Sequence, residues 1–72
     1  MQLSIKKIKR LVDEEKPKAI ARYLTNFVPS DKKNFLEVRI DEYANALMKK
    51  NMNTLTRSDI EKKLEELSNE KQ

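Results

Sequence analysis

The sequence contains no cysteine, no histidine, no glycine and no tryptophan. Without cysteine there is no disulfide and no thiol nucleophile. Without cysteine and histidine together, the common zinc sites and the usual general base also fall away. Without glycine, no Gly-rich loop can cradle a phosphate. Neighbouring acids such as Asp41 and Glu42, or Glu65 and Glu66, do not face each other on a helix. The inventory points to a non-enzyme with no cofactor and no metal site. No apolar run approaches the roughly 18 residues that a membrane-crossing helix needs. The start MQLSIKK lacks the uninterrupted apolar core of a signal peptide. The expected setting is cytoplasmic, reducing and without membrane contact.

What is present is short and highly charged. The chain has 72 residues, 39% of them charged, with a net charge of +4. That length allows one small domain, and a chain of this size buries only about 60% of its unfolded surface. Domains this small usually lean on a staple, a metal or a partner chain. With the first two absent, a homodimer is the expected stabiliser. The charge is uneven. Residues 1–36 carry nine Lys/Arg against four Asp/Glu, a balance of +5, and residues 37–72 carry seven against eight, a balance of −1. A positive N-terminal half suits a polyanion or an acidic protein partner.

The segment SIKKIKRLVDEE opens with Ser4 as a helix N-cap. Ile5, Ile8, Leu11 and Val12 share one helical face, and Lys6, Lys7, Lys9 and Arg10 fill the rest. The charge order runs against the helix macrodipole, with cations in the first turns and acids in the last. Each such conflict costs only about 0.3–1 kcal/mol, so packing can override it. A local rule broken without structural gain is expected preferentially at functional sites. Pro17 suits the first position of a second helix. Ile20, Tyr23, Leu24 and Phe27 form its apolar face. Pro29 ends it near Val28.

The stretch SDKKNFLEVRIDEYANALMKKN fits two readings. As one helix it gathers Leu36, Ile40, Tyr43, Ala44, Leu47 and Met48 on one side and leaves Val38 opposite. As a strand followed by a helix, FLEVRI puts Leu36, Val38 and Ile40 on one face, with Asp41 as N-cap. A strand would need a partner from another subunit. The last segment carries the clearest signals. Thr56 and Asp59 have near capping-box spacing, and Leu55 with Ile60 suits a hydrophobic staple. Ile60, Leu64 and Leu67 form its stripe, and Asp59–Lys63 is a favourable pair. Asn51 or Asn53 is expected to take a left-handed conformation in the turn before it. The final SNEKQ is expected to be disordered.

Taken together, FLEVRIDEYANALMKKNMNTLTRSDIEKKLEEL resembles ribbon-helix-helix proteins. The resemblance rests on the alternating LEVRI, the helix opening DEYANAL, and LTRSDI at the second helix. It covers residues 35–67. That family builds small DNA-binding dimers whose paired strands enter the major groove. The resemblance implies outward positions Phe35, Glu37 and Arg39 on the ribbon, of which Arg39 suits guanine. It also implies a phosphate anchor at Thr56, Arg57 and Ser58. Glu37 and Phe35 depart from the pattern, and the first 30 residues have no counterpart in it.

The chain is therefore expected to be all-α. It is either a bundle of three or four short helices or a ribbon-helix-helix dimer with a helical N-terminal extension, and forms one domain over residues 1–72. The functional expectation is a small DNA-binding, transcription-regulator-like protein, with DNA favoured over RNA. Lys6, Lys7, Lys9, Arg10 and Lys18 would contact phosphates, joined by Arg39, Thr56, Arg57 and Ser58. The alternative is a helical protein-protein adaptor or inhibitor.

Overall fold

The computed structural model describes residues 2–70. Among them are four α-helices and no strand: α1 (Ile5–Asp13), α2 (Pro17–Thr25), α3 (Lys33–Leu47) and α4 (Arg57–Asn69). A short 3-10 turn at Ser30–Lys32 leads into α3. The fold of the described residues is all-α, as expected.

The helix starts follow the local chemistry. The Ser4 hydroxyl accepts from the Lys7 backbone N–H at 3.2 Å, and Pro17 occupies the first position of α2. At α4 the capping box is complete. The Thr56 hydroxyl accepts from the Asp59 N–H at 3.2 Å, and the Asp59 carboxylate accepts from the Thr56 N–H at 3.0 Å. Leu55 and Ile60, flanking that cap, are both buried. The Asp59–Lys63 pair does not form. Asp59 is engaged in the cap, and Lys63 pairs with Glu66 at 3.9 Å.

The left-handed residue is not an asparagine. Glu15, at φ 55°, is the one non-glycine residue with positive φ among those described. The Lys16 N–H donates to the Leu11 carbonyl, and the Glu15 N–H to the Val12 carbonyl, each at 3.0 Å. This is a Schellman closure of α1, which demands a left-handed residue just past the cap. The Asn51–Thr54 turn closes instead with the Thr54 N–H donating to the Asn51 carbonyl at 3.2 Å, and the Asn51 side-chain oxygen accepts from the Asn53 N–H at 2.9 Å.

Phe35–Ile40 is helical, so the strand alternative is not what this chain adopts. The reason is burial. As a helix, Leu36, Ile40, Tyr43, Ala44 and Leu47 all enter the core. The residue left over is Val38, on the far side and 67% exposed. Helix α2 packs on both α1 and α3, and α4 packs on α3. Ile8, Ile20, Leu24, Leu36, Ile40, Leu47, Ile60 and Leu67 are fully buried together, so all four helices share one core. No described helix is long and apolar enough to cross a membrane.

Order also extends further along the C-terminal segment than composition suggests. Ser68 and Asn69 belong to α4, the Lys32 ammonium donates to the Ser68 carbonyl, and Glu70 pairs with Arg39. Lys71 and Gln72, the rest of the segment expected to be disordered, lie outside the described residues.

Candidate nucleic-acid interface

The basic residues of α1 are held in place by packing on its other side. Ile8 and Leu11 are buried, and Ile5 and Val12 are half-buried against the core. This leaves Lys6, Lys7 and Arg10 exposed and Lys9 half-buried. A second tie runs through Tyr23 of α2. Its hydroxyl accepts from the Ser4 backbone N–H at 2.8 Å, and the Lys7 ammonium lies 4.9 Å from its ring centroid. Tyr23 in turn meets the Phe27 ring edge-on, with centroids 5.2 Å apart. These two aromatics are thus packing elements rather than free stacking platforms.

The charges of α1 are largely unneutralised. Arg10 reaches Glu14 at 3.9 Å. Lys6, Lys7 and Lys9 have no carboxylate within 4.0 Å among the described residues. Their position over the first turns of α1 adds to the positive end of its dipole.

The fold then brings in a residue some fifty positions away. Arg57, first residue of α4, lines the same shallow depression as Ser4, Ile5 and Lys6. Its guanidinium donates to the Gln2 side-chain oxygen at 3.5 Å and pairs with Glu61 at 3.9 Å. Two helix N-termini and two cations therefore meet at one corner. Thr56 lies beside it, but its hydroxyl and N–H are both engaged in the cap, while Ser58 is exposed at the second position of α4.

The remaining candidates lie elsewhere. Lys18 lines a separate groove between α2 and α3 with Arg22, Lys33, Glu37 and Asp41. Arg39 is held by its own acids. It grips Glu70 in a bidentate pair at 2.5 and 3.0 Å and reaches Glu42 at 3.5 Å. A guanidinium already bound by two carboxylates offers little net charge to a phosphate.

A further cleft, not foreseen from the sequence, opens between α3 and α4. Tyr43, Lys50, Asn51, Asp59, Lys62 and Glu66 are among its lining residues. Burial pushes the Tyr43 phenol up to about 12, helped by the charges of Asp59 and Glu66. The hydrogen bonds from the Thr56 backbone and hydroxyl hold the Asp59 carboxyl below its ordinary value, with Lys50 and Lys62 adding to the effect. The cleft thus holds a neutral phenol and an ionised carboxylate already engaged in the cap. These residues come together only through the α3–α4 packing, which leaves no signal in the local sequence.

Comparison with protein-family models, with curated proteins and with solved structures returned no match.

Proposed function

We propose that the protein binds nucleic acid, DNA in preference to RNA, through phosphate contacts at the corner where α1 and α4 begin. The observation that carries this reading is the meeting of Lys6 and Arg57 in one depression. Each comes from a segment singled out for a different reason: the misordered charges of α1 and the LTRSDI opening of α4. Lys7 and Lys9 extend the basic surface along α1, with Arg10 partly offset by Glu14. Ser58 and the open N–H groups of the two helix starts supply hydrogen-bond donors of the kind phosphates accept. Lys18 and Arg39 contribute to the field rather than to the corner.

The ribbon-helix-helix resemblance supports the reading at Thr56–Ser58 only, since Phe35–Ile40 is helical within this chain. Contacts of this kind position a protein on the backbone without reading sequence. The regulator-like role accordingly rests on phosphate grip, not on base contacts by Arg39.

The second reading, a helical adaptor or inhibitor, is favoured by one observation: Val38 and Phe35 are exposed on α3, 67% and 43% respectively. The two readings separate in one experiment. Lys6, Lys7, Lys9 and Arg57 are replaced by Gln, and retention on immobilised duplex DNA at low salt is compared with the parent. The nucleic-acid reading expects strong retention of the parent and loss in the variant. Absence of retention of the parent at low salt would remove it in favour of the adaptor.

A further inference from the structure

The cleft between α3 and α4 shares no lining residue with the depression where Lys6 meets Arg57. Its α4 wall is one helical stripe. Asp59, Lys62, Lys63 and Glu66 fall at i, i+3, i+4 and i+7, which sets them on a single face. Lys50 and Asn51 enter from the segment just past α3. The space enclosed is about 640 Å³, within the roughly 300–1,000 Å³ of small-molecule sites.

The charges in this cleft do not cancel pairwise. Asp59 is engaged by the Thr56 N–H, and Glu66 pairs with Lys63 at 3.9 Å. Lys50 and Lys62 have no carboxylate within 4.0 Å among the described residues. Both still act on the Asp59 carboxylate. Two unpaired ammoniums, from different segments, therefore converge on the same part of the cleft.

Tyr43 adds a neutral polar group. The residue is 7% exposed. Its hydroxyl bonds to no other described residue. Among the described residues no side-chain oxygen is buried without a partner, so this hydroxyl reaches the surface. The charges that act on it are those of Asp59 and Glu66, both cleft residues, which sets it on the cleft side. The Asn51 side-chain oxygen is taken by the Asn53 N–H, which leaves its amide hydrogens to donate.

We propose that this cleft binds a small phosphorylated sugar, with Lys50 and Lys62 on the phosphate and Tyr43, Asn51 and the cleft carboxylates on the sugar hydroxyls. A phosphomonoester carries about −1.5 to −2 at pH 7, and two ammoniums match that charge. The cations of the cleft are all lysines. A carboxylate ligand is better served by the planar fork of an arginine, whereas lysine holds phosphate as a point charge. The body of the ligand follows from the remaining groups. Asp59 and Glu66 can accept from hydroxyls, Tyr43 can donate or accept, and Asn51 can donate. An apolar body would leave these groups without partners, which is costly. A polyol satisfies them.

This inference does not rest on the nucleic-acid reading, and the two fail separately because their residues are disjoint. The test is a titration of the isotope-labelled full chain with ribose 5-phosphate, followed by backbone amide shifts at about 50 mM salt, where screening is modest. The amides of Lys50, Asn51 and Lys62 should move saturably with Kd about 1 mM, the affinity that ~14 non-hydrogen atoms give at ordinary ligand efficiency. Lys50→Gln combined with Lys62→Gln should weaken binding at least about tenfold. Both sites are exposed, so the helical circular dichroism should not change. Tyr43→Phe keeps the buried ring and should weaken binding about two- to tenfold. Lys6→Gln combined with Arg57→Gln should leave it unchanged. Inorganic phosphate alone and ribose alone should each bind at least about tenfold more weakly than the ester. Absence of a saturable shift at the three amides overturns the proposal. So does ester binding that survives loss of both lysines or is indifferent to Tyr43→Phe. Inorganic phosphate binding as tightly as the ester overturns it too, since the cleft would then hold an adventitious ion only.

Discussion

The backbone N–H of Ser4 donates to the Tyr23 hydroxyl at 2.8 Å. Ser4 is the N-cap of α1, and Tyr23 lies in the last turns of α2. One side chain on the second helix therefore fixes where the first begins, and with it where Lys6 and Lys7 stand. Tyr23→Phe keeps the ring, the edge contact with Phe27 and the surface under Lys7. It removes only the acceptor. The expected loss is about 0.5–1.5 kcal/mol, the usual net worth of a hydrogen bond, read as a lower urea midpoint with an unchanged slope. An unchanged midpoint would mean that the bond does not hold the helix start.

Glu15 carries a conformational burden that the composition makes unavoidable. The Schellman closure needs a left-handed residue, and the sequence holds no glycine to supply it. A left-handed L-residue costs roughly 1–2 kcal/mol, whereas glycine loses about 0.5–1 kcal/mol through its extra freedom when unfolded. Glu15→Gly should therefore stabilise the protein by about 0.5–1 kcal/mol. In a domain of this size that raises Tm by several degrees, at roughly 4–8 °C per kcal/mol. A lower Tm would show that the Glu15 side chain contributes more than its backbone strain removes.

The Thr56–Asp59 capping box links stability to acid. Asp59 has a folded carboxyl held below its ordinary value, chiefly by the hydrogen bonds from Thr56. As pH falls, the unfolded chain takes up this proton first, near pH ~3.9. The stabilisation is thus complete above that value and is lost as pH falls through the lower folded one. Asp59→Asn should be less stable than wild type near neutrality, and the difference should shrink toward about pH 2, in thermal melts taken across the acid range. Thr56→Ala should cost about 1 kcal/mol. A gap between wild type and Asp59→Asn that stays constant with pH would contradict the assignment.

The sequence was informative wherever one residue type decides a local geometry. Ser4, Pro17 and Thr56 mark the starts of α1, α2 and α4 by chemistry that needs no tertiary context. The fit at α3 was ambiguous because Val38 satisfies a strand pattern that the other residues do not require. Only the joint burial of Leu36, Ile40, Tyr43 and Leu47 decides for helix. Propensity points to asparagine for the left-handed residue, while the closing hydrogen bonds of α1 place the requirement on Glu15. The resemblance makes Arg39 an outward, available ribbon position. Its engagement depends on Glu70, 31 residues away. The meeting of Lys6 with Arg57 is likewise a product of packing alone, and no local pattern announces it.

The central claim is that the corner built by α1 and α4 grips phosphates. Its most direct measurement is the salt dependence of binding to a fluorescent DNA duplex, followed by anisotropy between about 50 and 200 mM monovalent salt. If Lys6, Lys7, Lys9 and Arg57 each neutralise one phosphate, log K should fall against log salt with a slope of about −3.6, about 150-fold across that range. Arg57→Gln alone should reduce the magnitude of the slope by about 0.9. Lys49→Gln, exposed just beyond α3, should leave it unchanged. A slope near zero, or one that Arg57→Gln does not alter, would contradict the account.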